Sequence, residues 1–170
     1  MMAYVDTNVI LAKYFPDDTL HGKAERFLDH DGGRKVVSPV SVVELTAVVS
    51  RLDADIRAPK ELLQESPRKR VRAIVEFLIR DCNITVATVP ARARIKFAGT
   101  ILSVPLEYQR SIRLVDALKL RTLDLIHLAY ADNLRKWGHE INTFVTGDRD
   151  VLSKTEQIRE QIGVEVKEPA

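Results

Sequence analysis

Two periods of apolar spacing run along the chain, and each change of period marks an element boundary. Ala3-Tyr4-Val5 is a short apolar run that stops at Asp6, and apolar residues at helical spacing follow it through Phe15, which predicts strand, turn, helix. Thr19 to His30, with Ala24, Phe27 and Leu28 on one stripe, predicts a second helix stopped by Asp31-Gly32-Gly33. Lys35 to Ser38 fits a short buried strand. Ser38 as cap and Pro39 at the first helical position then start a helix to about Arg51 that carries Glu44. Pro67 to Asp81 places Val71, Ile74, Val75, Leu78 and Ile79 at three and four spacings, an amphipathic helix with basic residues outside. Ile84 to Val89 reads as a strand, Pro90 as the start of another helix, and Leu106 to Leu120 as a further helical stretch. Thr122 is placed to cap a helix from Leu123 to Trp137 that Gly138 closes. Ile141 to Val145 is a strand ending at Thr146-Gly147-Asp148, a short helix follows, and Val164 to Val166 is a last edge strand. No repeat or low-complexity tract interrupts the series.

Strand and helix in alternation predict a three-layer α/β/α domain with a mainly parallel central sheet. In such folds the ligand crevice lies beyond the carboxyl ends of the strands. Asp6 and Asp148 follow two such ends, and Glu44 and Asp124 lie early in helices that begin near the same edge, so four acids from distant segments can converge.

Composition narrows the picture. At 170 residues, 45% hydrophobic and 29% charged, the chain is a single globular domain, not a disordered or membrane protein. No apolar run reaches the roughly 18 residues of a spanning helix, and Asp6 and Asn8 break the first apolar stretch, so neither anchor nor signal peptide is expected and a cytoplasmic location is. One cysteine, Cys82, excludes an internal disulfide framework and a multi-cysteine zinc site. The net charge of +2 hides a segregation: from Arg51 to Arg121 fifteen basic residues face eight acidic ones, whereas the flanks carry eleven against sixteen. Acidic ends and a basic middle suit a cation site with a periphery that attracts a polyanion, although a solvated helix face explains the basic run as well.

Four close carboxylates stay ionised at neutral pH only beside cations, or else their pKa values rise. Mg²⁺ or Mn²⁺ takes oxygen ligands and reaches phosphate, whereas zinc would call for His or Cys. The matching chemistry is metal-assisted phosphodiester hydrolysis without a covalent nucleophile. Each acid alone also has a structural explanation: Asp6 as a helix cap, Asp124 as a favourable charge at a helix start, Asp148 and Asp150 as turn residues. Glu44 resists it, because Val42, Val43, Leu45 and Val48 make its helix apolar.

Val5-Asp6-Thr7-Asn8-Val9, Ser41-Val42-Val43-Glu44-Leu45, Arg121-Thr122-Leu123-Asp124-Leu125-Ile126-His127-Leu128-Ala129 and Val145-Thr146-Gly147-Asp148-Arg149-Asp150 resemble the successive acidic motifs of the PIN-domain nucleases, in order and over nearly the whole chain. The length is similar to that of the VapC-like toxins of type II toxin-antitoxin systems. The resemblance implies a PIN-like fold and a metal-dependent endoribonuclease acting on RNA. It implies Mg²⁺ or Mn²⁺ held by Asp6, Glu44, Asp124 and Asp148, with Asp150 as a possible fifth acid. It further implies a Thr146 hydroxyl that positions water or metal, and an Asn8 that supports the site. A homodimer and an antitoxin that inserts an apolar helix and a basic side chain near the acids are also implied. The seventy-nine residues between Glu44 and Asp124 are long for such a toxin and point to an added helical segment at about 52–82.

His127 follows Asp124 by three residues, but an oxygen-ligand site has no need of imidazole, and it reads as structural. Arg68, Lys69, Arg70 and Arg72 form one basic run and Arg92, Arg94 and Lys96 a second, both suited to phosphate contacts. Three other readings compete: a housekeeping PIN nuclease in RNA processing, a catalytically silent RNA-binding domain, and an aspartyl phosphatase. The last is the weakest, because Asp6-Thr7-Asn8 lacks a second acid.

Overall fold

The computed structural model describes residues 2–52 and 56–170, with every side chain among them except that of Arg68. Strand β1 (Met2–Val5) leads into α1 (Thr7–Tyr14) and α2 (His21–His30); β2 (Arg34–Val37) follows, then α3 (Pro39–Leu52), α4 (Lys60–Leu63) and α5 (Pro67–Asp81). After β3 (Ile84–Val86) come β4 (Arg92–Phe97), β5 (Thr100–Pro105), α6 (Leu106–Leu118) and α7 (Thr122–Lys136). The chain finishes with β6 (Ile141–Val145), α8 (Arg149–Leu152), α9 (Thr155–Ile162) and β7 (Glu165–Lys167).

Five strands form one sheet in the order β3-β2-β1-β6-β7, every pair parallel. The first strand occupies the centre because both its faces are apolar: Tyr4 and Val5 are fully buried on opposite sides. Register aligns Tyr4 with Val36 and Phe144, and Val5 with Val145. The alternating residues feed two separate cores. Tyr4, Val36 and Phe144 pack with Leu114, Leu118, Leu128 and Ile158, from α6, α7 and α9. Val5, Val37 and Val145 pack with Ile10, Phe27, Leu45, Ile74 and Leu78, from α1, α2, α3 and α5. The sheet therefore lies between two helical layers, as the alternation predicts.

The helical segment expected at about 52–82 appears as α4 and α5 over the described residues; positions 53–55 lie outside them. Cys82 is buried beside the Tyr14 hydroxyl at 3.3 Å. Among the described residues no helix is long and apolar enough to cross a membrane.

Three expectations need correction. Pro90 starts no helix; instead β4 and β5 pair as an antiparallel hairpin. Arg92, Arg94 and Lys96 alternate with the half-buried Ala93 and Ile95, a strand period, and Ala98 (φ 48°) and Gly99 (φ 81°) both adopt the left-handed conformation that a two-residue hairpin turn demands. The strand after α5 ends at Val86, not Val89, although the Ala87 N–H still donates to the Val37 carbonyl at 2.9 Å. Thr122 is the first residue of its helix, and Arg121 stands at the cap position without a side-chain cap bond.

The hairpin leaves Phe97 and Ile101 more than two-thirds exposed at 69% and 67%. Leu128→Ala, in the fully buried layer under the sheet, is expected to cost about 2–5 kcal/mol in urea unfolding. Phe97→Ser is expected to stay within about 0.5 kcal/mol of the unsubstituted chain.

Candidate active site

At the carboxyl edge of the sheet a cleft of about 410 Å³ is lined by Asp6, Thr7, Asn8, Glu44, Arg121, Asp124, His127 and Asp148, among others. Four segments supply the acids. Asp6 follows β1 directly and its N–H still donates to the Val145 carbonyl of the neighbouring strand at 2.9 Å. Asp148 lies three residues beyond the end of β6, Glu44 sits in the second turn of α3, and Asp124 in the first turn of α7.

Hydrogen bonds sort the carboxylate oxygens. Asp6 Oδ2 accepts from the Thr146 hydroxyl at 2.6 Å and from Asn8 Nδ2 at 2.8 Å, and among the described residues no side-chain donor reaches Oδ1. Glu44 Oε2 accepts from the Thr7 hydroxyl at 2.7 Å and lies 2.6 Å from His127 Nε2, while Oε1 has no donor among the described residues. Asp148 Oδ1 accepts from the Asp150 and Val151 N–H groups at the start of α8, at 2.7 and 3.4 Å. Asp124 Oδ2 is buried with no hydrogen-bond partner among the described residues. Asp148 thus caps a helix and still lines the cleft, whereas Asp6, at the cap position of α1, makes no cap bond with its side chain. The helix-cap explanation accounts for one oxygen of Asp148 and for nothing at Asp6.

The electrostatics follow from burial and crowding. Burial pushes the Asp6 carboxyl above its ordinary value, against the opposing pull of His127 and Thr146. The Asp124 carboxyl is pushed up to about 6, first by burial and then by the charges of Asp148 and Asp6. Burial would raise Glu44 too, but the His127 hydrogen bond and charge, with Thr7, outweigh it and hold that carboxyl below its usual range. For His127 the desolvation that lowers an imidazole pKa is overcome by Glu44, Asp6 and Asp124, and the ring stays protonated to higher pH than usual.

A hard divalent cation fits this donor set: the ligands are oxygens, one of them buried and orphaned, and two of the acids carry raised pKa values that a cation would lower. The side chains line the cleft without converging on one point, and among the described residues no three Asp, Glu, His or Cys form a ready-made cage.

The other expected residues fall at varied distances from the cleft. Thr146 is fully buried behind Asp6; its oxygen accepts from the Asp148 N–H at 3.0 Å, so it ties two of the acids together. Asn8 bridges the same groups, since its Oδ1 accepts from the Gly147 N–H at 3.0 Å. Asp150 is exposed, does not line the cleft, and lies 3.6 Å from Arg121. In the first basic run Arg72 pairs with Glu76 at 2.7 Å and Arg70 reaches the Glu65 carbonyl, a solvated helix face. The second run is a row on the β4 face. The sequence pattern gave no role to Thr7 or Arg121 and read His127 as structural, yet all three line the cleft. All three lie inside the acidic motifs, so their nearness to the acids was the available signal.

The family model described as PIN domain matches residues 3–157. A chain in the crystal structure of VapBC2 from Rickettsia felis, bound to a DNA fragment from their promoter, superposes with a TM-score of 0.54 at 11% identity over 99% of this chain and 98% of that one. A chain of VapBC-1 from nontypeable Haemophilus influenzae gives 0.53 at 14% identity over the same 99% and 98%. These two likenesses speak to the fold. No curated protein matches the chain. With four motif acids lining one cleft at the edge of a five-stranded parallel sheet and a family match over nearly its whole length, the chain belongs to the PIN-domain family.

Proposed function

We propose that the chain is a Mg²⁺- or Mn²⁺-dependent endoribonuclease that hydrolyses RNA phosphodiester bonds and serves as the toxin of a toxin-antitoxin pair. The observation that carries this reading is the set of four acids on one cleft: Asp6, Glu44 and Asp148 each have an oxygen anchored by hydrogen bonds in the protein, and Asp124 Oδ2 has no partner among the described residues. Single-oxygen ligands favour Mg²⁺ or Mn²⁺ over Ca²⁺, which commonly takes bidentate carboxylates. A bound cation would supply a water of lowered pKa and neutralise charge on the phosphate. The chain's own part is to hold that cation through Asp6, Glu44, Asp124 and Asp148 and to draw the polyanion in. Arg121, whose side chain is 79% exposed and lines the cleft, would meet a phosphate there, and Asp150 lies 3.6 Å from it. The likeness to VapBC structures supports an antitoxin partner. A homodimer is part of the same proposal. Co-expression with the product of an adjacent small gene, and sedimentation at several concentrations, test those two associations.

Purified protein is expected to cleave a structured RNA, and not a matched DNA, with Mg²⁺ or Mn²⁺ and not with EDTA. Asp6→Asn and Asp124→Asn should each lose more than the roughly 10–100-fold that removal of an outer-shell partner costs. Failure to cleave any RNA with either metal sinks the nuclease reading.

Arg121→Ala is expected to raise KM for RNA with kcat little changed and to reduce the salt slope of binding by about 0.7 for a single-stranded substrate.

Asp124 also makes stability depend on pH. Its folded pKa of about 6 lies above the ordinary 3.8, so the stability from its protonated form is complete below the lower value and is lost as pH rises through the upper one. For a half-exposed carboxyl, screening leaves on the order of 1 kcal/mol, about 2–4 °C in Tm. Metal-free Asp124→Asn should therefore melt higher than the unsubstituted chain at pH 7 by that amount, and Mn²⁺ should raise the Tm of the unsubstituted chain alone.

A further inference from the structure

His127 is 2% exposed and spans from the sheet to the cleft. Its Nε2 lies 2.6 Å from Glu44 Oε2, and its Nδ1 lies 2.8 Å from the Tyr4 hydroxyl. An ionised carboxylate only accepts, so Nε2 must be the donor whatever the charge on the ring. The Tyr4 hydroxyl donates or accepts as Nδ1 requires, and Tyr4 is itself fixed by stacking on Phe144 at 5.2 Å and 7° in the core. A rigid relay therefore runs from the centre of the sheet through Tyr4 and His127 to one oxygen of Glu44. The Thr7 hydroxyl donates to that same oxygen at 2.7 Å. Among the described residues both donors act on Oε2 and none on Oε1, which orients a carboxylate that is otherwise free to turn about its last bond.

We propose that His127 is a positioning residue that turns Glu44 so that Oε1 alone is offered to a divalent cation, with Tyr4 setting the imidazole for that task. The inference rests on the metal-binding reading of the cleft. Ligating carboxylates need such outer partners to keep their geometry, and losing one costs roughly 10–100-fold in metal affinity. His127 is no ligand in this scheme: both of its nitrogens are already engaged by Tyr4 and Glu44.

Two polar variants separate this role from general packing. Gln reproduces a donor near the place of Nε2 and Asn one near that of Nδ1. The measurement is Mn²⁺ affinity by calorimetry, with the metal-free Tm recorded for every variant. His127→Gln is expected to bind Mn²⁺ within a few-fold of the unsubstituted chain, and His127→Asn about 10–100-fold more weakly. In a Glu44→Ala background His127→Asn should cause no further loss. Equal affinities for the two variants, or the same loss with and without Glu44, overturn the proposal. Should the variants fail to fold, histidine ¹⁵N resonances of the unsubstituted chain decide. A protonated Nε2 that persists on adding Mg²⁺ supports the relay, and its disappearance overturns it. An unsubstituted chain that binds no Mn²⁺ removes the metal reading and this proposal together. Binding lost in Asp124→Asn but unchanged in His127→Asn removes this proposal alone.

Discussion

Like charges set the terms of this structure. Four carboxyl groups share the wall of one cleft, and the cost of burial, with the repulsion among them added to it, raises Asp6 and pushes Asp124 up to about 6. Nothing in the local chemistry of these residues favours their meeting; the sheet imposes it. Asp6 leaves β1 at its carboxyl end, the Thr146-to-Asp148 turn leaves the adjacent β6, and the two are joined by the 2.6 Å bond from Thr146 to Asp6. Hydrogen bonds inside the protein absorb part of the crowding, since Asn8, Thr7, His127 and the first N–H groups of α8 each satisfy an oxygen that would otherwise face another acid. The imidazole does most for Glu44, whose carboxyl it draws below the ordinary range while its neighbours are driven above theirs.

The same arrangement explains why the two cores are so different in what they hold. On one side of the sheet, Tyr4 belongs to the packed layer and to the polar relay at once: its ring stacks on Phe144 and its hydroxyl meets His127. A tyrosine suits such a place because it has an apolar body and a polar tip. On the other side Val5, Val37 and Val145 are purely apolar, and the chemistry begins only at the residues that follow them.

Most of the main sheet was legible because its strands are short apolar runs closed by Asp, Ser or Thr-Gly, and the helices that carry Glu44 and Asp124 keep a clean stripe. The hairpin was not, because Val-Pro at 89–90 resembles a helix start. Its true signals, the alternation from Arg92 to Lys96 and the Ala98-Gly99 turn, contain no Asn-Gly or Asp-Gly of the usual kind. At the site, the acids stood out by residue type. His127 and Thr7 did not, since their importance lies in which oxygen they touch, and contacts between residues 37 and 83 apart leave no trace in local spacing. Charge density in the sequence also misplaced emphasis: the densest basic run sits on the helix α5, with Arg72 paired to Glu76, while the rim of the cleft offers a single arginine, Arg121.

The bond between Thr146 and Asp6 spans 140 residues. The central strand is made before either of its hydrogen-bonded neighbours, and β6 follows it by more than a hundred residues, so β1 waits with one edge unpaired until β6 has been made. A growing chain has no complete acidic cleft until Asp148 has been added and β6 has paired. Translation itself thereby delays the assembly of the site, because the strand order places the last of the four acids far along the chain from the first.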